Sequence, residues 1–171
     1  MIIWIDGTFG VGKTVVAYKV KEMLNFQKVE ILRSDYFYQK IIIDNRLIGG
    51  GALPQNNIAF IKQFKKIIEE KLKCKDIYLI IDMALTENEC KEMLLEYFLK
   101  KGINIKHFIL IASIETIKSR IGNDKKRDKE FAISHLSHNQ KFLDINYKDA
   151  IRIDTENKNV GEVAKEIINL L

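Results

Sequence analysis

Apolar positions along this chain fall into two alternating patterns. Short continuous runs of four to eight residues recur, and between them apolar residues return at helical spacing. Ile2-Ile3-Trp4-Ile5 is the first run, and it suits a strand buried on both faces. Val16, Val20, Met23 and Leu24 follow at intervals of three and four, so a helix is predicted from Val15 to Phe26. Lys28 to Leu32 reads as a second strand, and residues 35 to 48 look partly helical. Gly49-Gly50-Gly51, with Pro54 close behind, breaks the pattern. From Asn56 to Leu72 the residues Ile58, Ile61, Phe64, Ile67, Ile68 and Leu72 share one helical face.

Ile77 to Ile81 is the third strand. Thr86 and Glu89 have the spacing of a capping box, which would open a helix running to Lys100, with Gly102 as its left-handed cap. Asn104 to Ala112 is a fourth strand, and Ser113 is placed to cap the next helix. Residues 122 to 130 are charged and irregular, and a single helix is expected from there to Tyr147. Ala150 to Ile153 is the fifth strand, and Asn159 with Glu162 forms a second capping box opening a helix from Val160 to Leu170. Repeated strand–helix alternation predicts an α/β fold, a parallel sheet with helices on both faces. Ligands of such sheets collect at the carboxyl ends of the strands.

The 171 residues favour one domain, residues 1 to 171, and can bury about two thirds of the unfolded surface. With 47% hydrophobic and 30% charged residues, the balance is that of a water-soluble globular protein. No apolar run is long enough for a bilayer, and no basic leader precedes the first strand, so a cytoplasmic protein without a membrane partner is expected. Cys74 and Cys90 have neither disulfide nor metal spacing. The net charge is +5, but the lysines are scattered along helices, so no nucleic-acid partner is expected. The same surplus serves to attract an anionic nucleotide.

One motif dominates the chemistry. Gly7-Thr8-Phe9-Gly10-Val11-Gly12-Lys13-Thr14 fits Gly-x-x-x-x-Gly-Lys-Thr, and it lies between a strand and a helix, the setting that motif requires. Backbone N–H groups in such a loop turn inward around phosphate, the lysine reaches the outer phosphates, and the threonine hydroxyl can ligate Mg²⁺. The helix that starts here adds the positive end of its dipole. Asp6, just before the loop, either orients the loop or the bound metal, or satisfies nearby backbone donors.

Other candidates stand at predicted strand ends. Asp82 closes an apolar run, as does the carboxylate that holds Mg²⁺ in the second nucleotide motif; the alternative is an acid capping a turn. Asp35 could accept a proton from an attacking hydroxyl, or cap the helix that follows. Arg33 and Arg46 could fork onto an anionic substrate if they face the cleft, but by default they read as solvated surface arginines. Residues 119 to 131 hold Arg120 and Arg127, cations suited to a lid that neutralises charge on a transferred phosphoryl group; the plain alternative is a solvated charged loop. Asp154-Thr155-Glu156-Asn157 either receives a purine or is a simple turn with Asx chemistry. His107, His135 and His138 have no metal-site spacing and read as packing or surface groups.

These residues resemble a known family. The opening from Met1 to Thr14, with its Trp-containing strand and Phe9-Gly10 step, is similar to that of the tunicamycin-resistance ATP-binding proteins. His107 to Ser113 with Glu115-Thr116, and Ile153-Asp154-Thr155 leading into Val160 to Ala164, resemble the same family, whereas residues 36 to 75 do not. Within its wider class of P-loop nucleotide-kinase-like proteins, the resemblance implies sheet order 2-3-1-4-5, a lid and bound Mg-ATP. Asp82 is a departure, since the resistance proteins have no acid there. The resulting expectation is an ATP-dependent phosphotransferase acting on a hydroxyl of a small molecule, with a nucleoside or nucleoside-like antibiotic among the acceptors considered. Lys13 and the loop would hold phosphates, Thr14 and Asp82 Mg²⁺, Asp35 the acceptor, and Arg120 and Arg127 the developing charge. Residues 36 to 60 would form the acceptor pocket. The rival expectation is a nucleotide-binding or drug-sequestering protein without phosphotransfer.

Overall fold

The computed structural model describes residues 1–25, 27–45, 53–125 and 128–171. Gly49 to Gly51, Arg46 and Arg127 lie outside them.

Five strands, β1 (Ile2–Asp6), β2 (Lys28–Arg33), β3 (Ile77–Asp82), β4 (Ile105–Ile111) and β5 (Ile151–Asp154), pair in parallel in the order β2-β3-β1-β4-β5. That is the order implied by the family resemblance. The apolar runs explain why the sheet sits between two layers. Ile3, Ile5, Ile80, Phe108, Leu110 and Ile153 pack on one side against α1 (Lys13–Met23) and α9 (Val160–Asn169). Ile2, Trp4, Leu32, Leu79, Ile81 and Ile109 pack on the other. That side is covered by α3 (Ile58–Leu72), by α8 (Leu136–Asn146) and by the stretch α4 (Asn88–Cys90), a π-helical run (Lys91–Glu96) and α5 (Tyr97–Lys100). Successive residues of a strand face opposite layers, so a strand covered on both sides must be apolar throughout.

Several helix ends form as their residues dictate. Ser113 Oγ accepts from Thr116 N at 3.2 Å and starts α6 (Ile114–Asn123). Asn159 and Glu162 exchange both capping-box bonds, at 3.0 and 2.7 Å. Gly102 N–H and Ile103 N–H return to Leu99 and Phe98 carbonyls, a Schellman closure of α5. Two expectations need correction. Thr86 does not cap: the helix begins after Glu87, and the Thr86 hydroxyl is buried without a hydrogen-bond partner among the described residues. The single helix expected up to Tyr147 is two, α7 (Lys129–Ser134) and α8, meeting at His135. There Ser134 Oγ donates to the Phe131 carbonyl at 2.9 Å, and His135 Nδ1 lies 2.8 Å from the same oxygen. Side chains thus compete for a carbonyl that continuation of the helix would use. Among the described residues no helix is long and apolar enough to cross a membrane.

Candidate functional site

The Gly7–Thr14 loop leaves β1 and enters α1, where Gly12 is the N-cap with φ 107°. Its shape depends on two tight approaches. A Cβ on Gly7 would stand 2.8 Å from the Leu110 carbonyl oxygen and from Val11 Cγ1. On Gly10, held at φ +74°, it would stand 2.6 Å from Ile121 Cγ1. Both positions therefore admit only glycine. Lys13 Nζ donates to the carbonyls of Gly7 and Thr8, each at 2.9 Å, so the ammonium group lies across the loop it belongs to.

Thr14 Oγ1 donates to Asp82 Oδ2 at 2.7 Å, joining residues 68 positions apart at the ends of β1's loop and β3. Arg33 Nε lies 3.7 Å from the same carboxylate oxygen. Burial raises the Asp82 pKa above the usual carboxylate range and Asp35 adds to this, while Lys13, the Thr14 hydroxyl and Arg33 oppose it. Strand register accounts for the grouping: Ile5 and Arg33 both pair with Asp82 in one row across the sheet. Because β2 extends to Arg33, this arginine lines the cleft instead of lying on open surface, contrary to the default reading. Asp35 sits one residue inside α2 (Ser34–Asn45), exposed in its first turn. Lys13, Thr14, Arg33, Asp35, Gln55 and Asp82 line one cleft of about 340 Å³.

Asp6 settles into an orienting position. It is fully buried, and its Oδ1 accepts from Gly7 N at 2.6 Å and Leu85 N at 3.1 Å, while Oδ2 lies 3.0 Å from His107 Nε2. Trp4 Nε1 donates to the Met83 carbonyl at 3.1 Å, and the Tyr147 hydroxyl to that of Leu85 at 2.9 Å. These bonds fix the 83–85 segment and hence Asp82. His107, read from sequence as a packing or surface group, is part of this network, with its ring edge-on to Tyr147 at 4.9 Å. The residue spacing gives no hint of this, because the partners come from β1, β4 and the segment after α8.

Arg120 is at the end of α6 and is held there, donating to the Val11 carbonyl at 3.3 Å and to Thr155 Oγ1 and O at 2.9 Å each. It ties the phosphate loop to the turn after β5 and also lines the cleft with Lys13 and Thr14. Of the expected lid, residues 119–123 belong to α6 and 129–131 to α7 (Lys129–Ser134), and residues 126 and 127 lie outside the described residues. The turn after β5 has its Asx bond, Glu156 N to Asp154 Oδ1 at 2.8 Å. Glu156 also takes the Thr116 hydroxyl and Ser113 N–H, which lower its pKa in that order. Beside this turn is a smaller cavity, about 210 Å³, edged by Val15, Arg120, Thr155, Lys158 and Val160. Val15 and Val160 are exposed apolar residues. Among the described residues no cluster of three His, Cys, Asp or Glu could hold a metal by itself. The Thr14–Asp82 pair fits magnesium in its usual mode, few protein ligands completed by phosphate and water oxygens.

A family model described as an AAA domain matches residues 2–141. No curated protein sequence matches the chain. Among solved structures, the Deinococcus radiodurans tunicamycin resistance protein is similar, with TM-score 0.75 and 20% identity over 99% of this chain and 94% of that one. Shikimate kinase from Acinetobacter baumannii in complex with shikimate gives 0.63 and 22%, over 99% and 91%. The Mycobacterium tuberculosis APS kinase in complex with AMPPNP and APS gives 0.67 and 15%, over 99% and 95%. At these identities the likeness is one of fold. With the family model covering most of the chain, the protein belongs to the AAA domain family, and its five-stranded sheet in the order 2-3-1-4-5 has the fold of the solved P-loop kinases.

Proposed function

We propose that the protein transfers the γ-phosphate of Mg-ATP to a hydroxyl group of a small molecule. The observation that carries this reading is the 2.7 Å contact of Thr14 Oγ1 with Asp82 Oδ2, beside Lys13 and in the cleft that Asp35 lines. A hydroxyl and a desolvated carboxylate so paired, next to an amide-lined loop and an ammonium group, are the protein half of a nucleotide–metal site.

The order of the strands supports a division of labour along the sheet's carboxyl edge. Beside β5, the cavity edged by Val15, Val160 and Arg120 suits a flat, largely apolar base. At β1, the loop amides and Lys13 take the phosphates; Lys13 exchanges its carbonyl partners Gly7 and Thr8 for phosphate oxygens. Between β1 and β3, Thr14 and Asp82 would hold Mg²⁺, which supplies neutralisation of charge on the transferred oxygens. Beyond β3, Asp35 stands on the acceptor side, where its carboxylate accepts the hydroxyl proton as that oxygen attacks phosphorus. Arg120 is fixed by Val11 and Thr155, so it orders the loop and flanks the base. Arg127 lies outside the described residues, and its proposed charge-neutralising role rests on sequence alone. Residues Leu53 and Gln55, from the expected acceptor segment, line the cleft. The solved shikimate and APS kinases, which share the fold, are named for phosphorylating small molecules.

The test is coupled ADP release over sugars, hydroxy acids, nucleosides and nucleoside antibiotics. At least one acceptor should raise turnover above the ATP-only rate, and Asp35→Asn should remove that increment while leaving ATP affinity within about threefold. ATP binding with no acceptor-dependent ADP release would favour a nucleotide-binding or sequestering protein.

A further inference from the structure

Among the described residues, the Arg33 guanidinium group has no hydrogen-bonded anion: its Nε is buried and has no hydrogen-bond partner there. The Asp82 oxygen 3.7 Å away is within ion-pair range but beyond hydrogen-bond range. The guanidinium carbon lies 5.9 Å from the Tyr18 ring centroid, which steadies the group but satisfies none of its donors. A buried donor of a charged group that lacks an acceptor is costly, and such positions mark ligand sites.

The sheet register says what kind of ligand is within reach. Arg33, Asp82 and Ile5 form one row, so the Arg33 backbone stands two strands away from that of β1. Its Nε is 3.7 Å from the Asp82 oxygen that Thr14 Oγ1 meets at 2.7 Å, so the side chain borders the phosphate cleft on its β2 side. Arg33 also forms a wall shared by two cavities. One is the cleft with Asp35 and Asp82; the other, about 280 Å³, is edged by Tyr18, Lys21, Tyr36 and Phe37. Tyr18 and Tyr36 are more than half exposed. Asp35 and Asp82 repel an anion from the cleft side, whereas Lys21 and Arg33 attract one from the other.

We infer that the acceptor carries an anionic group, a carboxylate, phosphate or sulfate, which Arg33 binds on its Lys21 side while the acceptor hydroxyl lies at Asp35. The inference rests on the phosphotransferase reading and adds the acceptor's class to it. Arginine suits such a role because its planar fork gives two parallel bonds to one oxyanion. With Mg²⁺ held at Thr14 and Asp82, the Asp82 charge would be shared with the metal, and Asp82 is the carboxylate within ion-pair range of Arg33 among the described residues.

Sulfate serves as probe, titrated at constant ionic strength into protein saturated with Mg·AMPPNP, so that the phosphate loop is filled. Calorimetry should give one saturable sulfate site. Arg33→Gln should weaken it by tenfold or more, Arg33→Lys should weaken it less, and Lys21→Gln should weaken it severalfold. In the ADP-release screen, hydroxy acids should outpace their neutral methyl esters. Failure of Mg·AMPPNP to bind would overturn the nucleotide reading on which this one rests. Nucleotide binding with no saturable sulfate site, or with a site unchanged in Arg33→Gln, would overturn the anionic acceptor alone. Turnover of neutral acceptors at rates equal to their acid forms would do the same.

Discussion

Removing the Asp6 carboxyl group should cost more stability than any other single change at a polar residue of the site. Its two oxygens meet Gly7 N–H, Leu85 N–H and the His107 ring, all in a position closed to solvent. Asp6→Ala leaves those donors with no water to turn to. Each orphaned buried group costs about 1–3 kcal/mol, so the three together cost roughly 3–9 kcal/mol. A domain of this size is stable by about 5–15 kcal/mol, so the loss decides whether much of it remains folded. Asp6→Asn should be far milder. Its carbonyl oxygen can keep both N–H bonds, and only the His107 contact changes, for about 1 kcal/mol. Trp4 is the only tryptophan and is fully buried beside this network, so its fluorescence reports equilibrium urea unfolding. Asp6→Ala within 1 kcal/mol of the parent, or equal to Asp6→Asn, would refute the view that this carboxyl holds the loop and the 83–85 segment together.

Gly10→Ala puts a methyl group 2.6 Å from Ile121 Cγ1 and 3.2 Å from the Ile117 carbonyl at a positive φ; a loss of about 2–4 kcal/mol is expected in the same urea assay. Asp82 has a raised folded pKa, chiefly through burial, so the folded state holds more protons than the unfolded one between the two values. Its contribution to stability therefore falls as pH rises through that window and stays low above it. Thermal melts without metal should show Asp82→Asn more stable than the parent at pH ~8, by roughly 1 kcal/mol, with the difference vanishing towards pH ~4; a less stable variant at high pH would contradict this. Cys74 is exposed and should react with a thiol reagent in the native state, whereas Cys90, buried and pushed up to about 12, should react only on unfolding. Mass spectrometry of the labelled peptides distinguishes the two.

The parts of the fold legible in the sequence were those set by local rules. Continuous apolar runs found all five strands, because a strand covered on both faces has no polar side to confuse the pattern. Ser113, Asn159 with Glu162, and Gly102 marked helix ends, because capping needs only residues a few positions apart. Thr86 and Glu89 have the right spacing too, yet tertiary packing buries Thr86 and starts the helix later. The Gly7–Thr14 loop was visible as a contiguous motif. His107 was not visible as a site residue and Arg33 was set aside by default as a surface arginine, because what matters about them is register: Arg33 meets Asp82 through β2–β3 pairing, and His107 meets Asp6 across the β1–β4 pair. Arg120 was visible as a cation, but its partners Val11 and Thr155 are 109 and 35 residues away, so its anchoring could not be read.

The most direct test of the central claim is calorimetric titration of Mg·AMPPNP into the parent protein and into Lys13→Ala. The account predicts one saturable site per chain, weakened roughly a hundredfold or more in the variant, since the ammonium group would make charge-assisted bonds to phosphate. Equal affinity in a folded Lys13→Ala protein, or no binding to the parent at all, would contradict it.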